Sequence, residues 1–144
     1  MDEEIIERYN SVVTDADIVY HLGDFCWKTY PDTYLNRLKG KEHHFIFGNH
    51  DKKQLCRNVF TSAQDVKLLN IQGLPAIWLS HYNHRVWPQS HYGSIHLFGH
   101  SHGTLKLPED DKAMDVGVDC LDYYPISLDD IIVRMKIVDK RPIE

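Results

Sequence analysis

The chain has 144 residues, 42% hydrophobic and 26% charged, which suits one globular domain, and residues 1–144 read as a single domain without linker, repeat or low-complexity tract. A formal charge of −5 offers no basic footprint for nucleic acid, and Cys26, Cys56 and Cys120 are too few and too scattered for a disulfide framework or a thiolate zinc site. No apolar run approaches the roughly 20 residues of a membrane helix, and the acidic start Met1-Asp2-Glu3-Glu4 is unlike the basic head of a signal peptide, so a cytoplasmic protein is expected.

Ile5, Ile6, Tyr9, Val12 and Val13 recur at helical spacing and predict a first helix, which Asp15 and Asp17 interrupt. Ile18-Val19-Tyr20 then reads as a buried strand that ends in the turn His21-Leu22-Gly23-Asp24. A second helix is predicted from Pro31-Asp32 to Leu38-Lys39, with Gly40 as its C-cap. Phe45-Ile46-Phe47 is a strand running into Gly48-Asn49-His50-Asp51. The pattern of apolar strand and polar turn recurs at Ala76-Ile77-Trp78-Leu79 before Ser80-His81, and at Ile95-His96-Leu97-Phe98 before Gly99-His100-Ser101-His102. Ser127, with Asp130 three residues on, resembles a capping box and starts either a helix or an edge strand. Four strands thus deliver ligand-type residues from their C-terminal ends, the edge of an open α/β sheet where ligands bind.

Asp24, Asn49, His81, His100 and His102 are oxygen and imidazole donors, the mix that suits Mn²⁺, Fe²⁺ or Zn²⁺. A glycine stands directly before Asp24, Asn49 and His100, permitting backbone angles or a close approach that a side chain would block. Taken singly, each has an ordinary reading. Asp24 and the Asn49-His50 pair are turn chemistry, His81 a strand-end histidine, and His100 with His102 a polar loop. His43, His44, His84, His91 and His96 have no motif around them and read as structural or surface histidines. Trp27 and Arg85 read as packing or solvent-facing residues, and Cys26 as a pocket-lining thiol.

Gly-Asp, Gly-Asn-His-Asp, an isolated His after an apolar strand, and Gly-His-x-His follow one another from Gly23 to His102. In this order they resemble the calcineurin-like metallophosphoesterase superfamily, in its small bacterial or phage form. Asp115-Val116-Gly117-Val118-Asp119 also resembles a strand of such proteins. The resemblance implies an α/β fold, the layered α/β/β/α sandwich, and a metal-dependent phosphomonoesterase or phosphodiesterase acting on a small phosphorylated substrate. It implies two divalent ions, Mn²⁺ first with Fe, Zn or Ni as alternatives, and in-line attack by a hydroxide held between them. Carried over residue by residue, Asp24 would bridge both ions, Asn49, His81 and His100 would complete the second, and His102 would turn to the first. His50 would face the phosphate, and Asp51 would orient His50 or cap the following helix.

Members of the family begin with a strand ending in Asp-x-His, and no such motif precedes Gly23 here. His21 lies on the same strand as Asp24 and does not replace it. The expectation is therefore an N-terminally incomplete domain with the first strand missing, apolar edges exposed and the first metal site impaired. A non-catalytic protein-binding scaffold and an inactive fragment stay open as alternatives. Substrate identity and oligomeric state are not legible from the motifs.

Overall fold

The computed structural model describes residues 3–23, 31–49, 51–99, 112–117, 121 and 124–142, and sorts their strands into two sheets. Helix α1 (Glu3–Val12) turns Ile6 and Tyr9 inward, one turn apart, where they meet Leu38 in a small cluster. The Tyr9 hydroxyl donates to the Lys39 carbonyl at 2.7 Å and so fixes the helix to the segment just before the strand Glu42–Ile46. Glu3 and Glu4 occupy its first turn, where negative charge suits the helix dipole.

The first sheet is parallel. Strand β1 (Ile18–His21) pairs with β2 (Glu42–Ile46), and β2 pairs with β3 (Ser62–Gln64). Helix α2 (Pro31–Leu35) lies between β1 and β2 in the chain, and α3 (Lys53–Val59) lies between β2 and β3. Phe45, Phe47, Cys56 and Phe60 pack between this sheet and α3, with the Phe45 and Phe60 rings stacked at 4.5 Å. The second sheet is mixed. Strand β4 (Val66–Leu69) runs antiparallel to β5 (Ile77–Ser80), which is parallel to β6 (Ile95–Phe98), itself parallel to β7 (Ala113–Asp115).

One apolar cluster joins the two sheets: Ile46 from β2, Ile77 and Leu79 from β5, Ile95 and Leu97 from β6, and Ile131 from helix α4 (Leu128–Arg134). All four residues of β6 are buried, which explains an apolar run where an open face would show alternation. The layered α/β arrangement expected from the motifs is therefore present, with the ligand-bearing strands divided between the sheets, β1 and β2 in one and β5 and β6 in the other.

Three local expectations change and a fourth, left open between helix and strand, is resolved. Helix α2 stops at Leu35, because Arg37 N–H and Leu38 N–H bond back three residues, to Tyr34 and Leu35, and tighten the end of the helix into turns. Ile18 is 54% exposed rather than buried, since among the described residues β1 is an edge strand with β2 as its partner. Asp51 does not cap α3: the capping position is Lys52, without a side-chain bond, and the Asp51 carboxylate accepts the Gly48 N–H at 2.6 Å. The segment after Ser127 is a helix, and the Ser127 hydroxyl accepts the Asp130 N–H at 3.1 Å. Strands β3 and β4 were not read from the sequence.

β1 and β2 are also tied by a histidine pair. His21 Nε2 and His43 Nδ1 lie 3.0 Å apart, and the rings stack at 5.3 Å beside Phe60. Burial, then the neighbouring His43, depresses the His21 pKa from the ordinary 6.5 to about 3. Burial, then His44, lowers that of His43. The unfolded chain takes up these protons near pH 6.5 while the fold refuses them, so the stability they contribute is whole above about 6.5 and is lost as pH falls toward 3. The urea midpoint should fall steadily between pH 6.5 and 5, and the fall should be shallower in His21→Phe, whose ring keeps the aromatic stack but cannot titrate. Equal slopes in the two proteins would refute the assignment.

Candidate metal centre

Three of the four ligand-bearing turns meet at one imidazole. His81 follows β5 directly and is 2% exposed. Its Nδ1 lies 2.6 Å from the carbonyl oxygen of Leu22, the residue after β1. A carbonyl only accepts, so Nδ1 carries the proton and donates it across from one sheet to the other. His81 then returns the contact to the other turn of its own sheet, its carbonyl accepting the Gly99 N–H at 3.0 Å just past β6.

This approach needs glycine. A Cβ on Gly23 would lie 2.3 Å from His81 Nδ1 and 2.9 Å from Gly48 Cα, and the Gly23 backbone has φ +94°, which side-chain-bearing residues rarely adopt. On Gly99 a Cβ would stand 3.3 Å from the Leu22 oxygen. The glycines before Asp24 and His100 thus do what their position in the sequence suggested, permitting close approach of the turns.

With Nδ1 protonated, the other nitrogen of the neutral ring is an acceptor, and it points at a second acceptor. His81 Nε2 lies 3.2 Å from Asn49 Oδ1, in the turn after β2. Two lone pairs at that distance repel unless the ring is an imidazolium, the amide turns its N–H₂ toward the ring, or the two atoms share a cation. The separation suits a cation: donor atoms each about 2.1 Å from one ion stand about 3.0 Å apart in an octahedral shell and about 3.4 Å apart in a tetrahedral one. The turn bearing Asn49 is closed in both directions, Asp51 N–H to the Gly48 carbonyl at 3.4 Å and Gly48 N–H to the Asp51 carboxylate at 2.6 Å. Tyr82, 43% exposed, sets its ring against the His81 imidazole at 4.9 Å, nearly perpendicular.

Of the sequence-predicted set, Asn49 and His81 are brought together. Asp24, His50, His100 and His102 lie outside the described residues, as do Cys26 and Trp27. Among the described residues no group of three or more His, Cys, Asp or Glu side chains is gathered to hold a metal ion. Arg85 is exposed. The histidines without motifs make other contacts: His43 pairs with His21, His44 Nδ1 lies 2.6 Å from Ser62 Oγ, and His84 and His96 belong to a network that includes Trp78 and Ser80 of β5. Sequence reasoning passed over Ser80, and it gave Asp51 the orientation of His50 or the cap of the following helix rather than the closing of the turn that bears Asn49.

A family model described as the calcineurin-like phosphoesterase superfamily domain matches residues 2–116. An uncharacterized protein of Methanocaldococcus jannaschii is 30% identical over 153 residues, spanning 97% of this chain and 76% of that protein. The crystal structure of a protein of unknown function from Aquifex aeolicus superposes with a TM-score of 0.68 at 24% identity, over 91% of this chain and 83% of the other, a likeness of fold. No helix among the described residues is long and apolar enough to cross a membrane.

The nesting of turns predicts a contrast between two glycines. Gly93, φ +87°, has nothing within 4 Å of where a Cβ would be, so Gly93→Ala isolates the backbone strain, roughly 1–2 kcal/mol. Gly23→Ala adds the clash with His81, roughly a further 1–3 kcal/mol. Denaturant unfolding should separate the two by that margin, and a Gly23→Ala protein as stable as Gly93→Ala would show that the turns are not held in contact.

Proposed function

Because the chain belongs to the calcineurin-like phosphoesterase superfamily, we propose that it is a divalent-metal-dependent hydrolase of small phosphate esters. The observation that carries this reading is the pair of acceptors, His81 Nε2 and Asn49 Oδ1, facing each other at 3.2 Å while His81 Nδ1 is committed to the Leu22 carbonyl. In this reading Asn49 and His81 hold one ion together with Asp24 and His100, and Asp24 and His102 serve the other. Bound divalent ions supply a water of lowered pKa and positive charge against the phosphate oxygens.

The chain's own residues do the rest. His50, next to Asn49 in the sequence, would in this reading face the phosphate and stabilise the charge of the transition state or give a proton to the departing oxygen. The Asp51 carboxylate holds the turn that carries both. Mn²⁺ is the proposed ion, since the donors are carboxylate, amide and imidazole.

The test is Mn²⁺ titration of the metal-stripped chain by calorimetry, beside hydrolysis of an aryl phosphodiester and an aryl phosphomonoester. Asp24→Asn and His81→Ala should each weaken Mn²⁺ binding at least tenfold, roughly the loss that disturbing even a supporting residue produces. His50→Ala should keep its ions and lose turnover by roughly 10²–10⁴-fold. Mn²⁺ uptake indifferent to His81→Ala, or hydrolysis that needs no divalent ion, would overturn the proposal.

A further inference from the structure

Behind β5 lies a hydrogen-bonded chain that the motifs do not use. Trp78 Nε1–H donates to His84 Nδ1 at 3.0 Å, and an indole nitrogen is a donor only. The neutral His84 ring must therefore carry its proton on Nε2, which lies 3.0 Å from Ser80 Oγ and donates to it. Ser80 Oγ also accepts the Tyr82 N–H at 3.2 Å. The His84 backbone N–H donates to His96 Nε2 at 2.8 Å, so the His96 proton is on Nδ1 and goes to the Trp78 carbonyl at 3.1 Å. Both tautomers are fixed by the groups they meet, and Ser80 and His96 are 2% and 0% exposed.

The chain grips the protein on both sides of His81. Ser80 precedes it, and Tyr82 and His84 follow it, and all three are fixed to one another or to β6 through His96. In the same segment Asn83 Nδ2 is buried and meets no hydrogen-bond partner among the described residues. A buried donor left unpaired is unfavourable. The conformation of residues 80–84 is thus set by the histidine network against the preference of Asn83.

We propose that His84 is a positioning residue for His81, acting through Ser80 and the turn they share to hold the imidazole with Nδ1 on the Leu22 carbonyl and Nε2 toward Asn49. The proposal rests on the reading of His81 as a metal ligand, and it assigns to His84 the orientation of that ligand rather than any contact with metal or substrate. Groups that orient a ligand without touching the ion commonly govern affinity 10–100-fold.

Two substitutions divide the roles of the His84 ring. His84→Gln places an amide N–H where Nε2 was, keeping the bond to Ser80 and leaving Trp78 Nε1 without an acceptor. His84→Asn places an amide oxygen where Nδ1 was, keeping the Trp78 bond and losing Ser80. Each removes one buried hydrogen bond, so thermal stability should fall by similar amounts in both. Two further readouts distinguish positioning from stability. In the metal-free protein, NMR exchange of the His81 Nδ1 proton should stay within twofold of wild type in His84→Gln and quicken at least tenfold in His84→Asn. Mn²⁺ affinity by calorimetry should likewise hold in His84→Gln and fall about tenfold in His84→Asn. Ser80→Ala, a smaller change, should reproduce His84→Asn and serves if that variant does not fold.

Wild-type proton exchange in both His84→Asn and Ser80→Ala would overturn the proposal. So would parallel losses in His84→Gln and His84→Asn that follow the melting temperature. If the wild-type chain takes up no Mn²⁺, the metal reading fails, and the exchange of the His81 proton alone decides whether His84 positions the ring.

Discussion

The bond from His81 Nδ1 to the Leu22 carbonyl is the constraint on which the described part of the centre depends. It joins the ends of strands in different sheets, and its length, 2.6 Å, requires the turn after β1 to lie directly against an imidazole. Only a residue without Cβ can occupy position 23 under that ring, and only a small one can occupy position 99 beside the Leu22 oxygen. The apolar cluster of Ile46, Ile77, Leu79, Ile95, Leu97 and Ile131 sets the spacing of the two sheets from behind. Packing density therefore determines the distance, the hydrogen bond determines the ring's orientation, and the lone pair of Nε2 has one direction left to it.

How much of this was legible can be argued from individual residues. The ends of β1, β2, β5 and β6 were readable because each apolar run stops at a polar residue or a glycine, a signal carried by neighbours in the chain. Ser127 announced α4 for the same reason: a cap and its N–H partner lie three residues apart. β3 was hidden because Ser62-Ala63-Gln64 has almost no apolar content, and it is a strand through its register with His44, Phe45 and Ile46. The division into two sheets was hidden too, since strand pairing joins residues far apart in sequence and periodicity reports only on neighbours. Early termination of α2 depended on turns closed by backbone bonds, to which no side chain gave a clue.

The histidines show the same limit at the level of chemistry. The chain has ten, and a residue count cannot tell a ligand from a core residue. Motif order singled out His81, His100 and His102, and it left His84 and His96 as structural or surface residues, of which His96 is fully buried. What the sequence could not convey is direction. The proton of His84 lies on Nε2 because an indole N–H meets its other nitrogen, and that of His96 lies on Nδ1 because a backbone N–H meets Nε2. Tautomers follow from which groups meet in space, and those meetings exist only once β5 and β6 are paired.

Neutral histidine is a demanding choice for such a network, because one proton must serve two nitrogens and each ring must be met by one donor and one acceptor. Burial enforces neutrality for His96, lowering its pKa against the pull of the Trp78 carbonyl, which favours the protonated form. A ring so constrained cannot turn over without leaving a donor facing a donor, and in a buried setting that mismatch is costly. The network is consequently a rigid support with a defined polarity, running from the Trp78 indole to Ser80 beside His81. At the centre the same rule fails locally: His81 meets a carbonyl at Nδ1 and an amide oxygen at Nε2, two acceptors for one proton. A fold that fixes the polarity of His84 and His96 in this way also sets, at the end of β5, an imidazole nitrogen and an amide oxygen 3.2 Å apart, the separation of two atoms that share one ion.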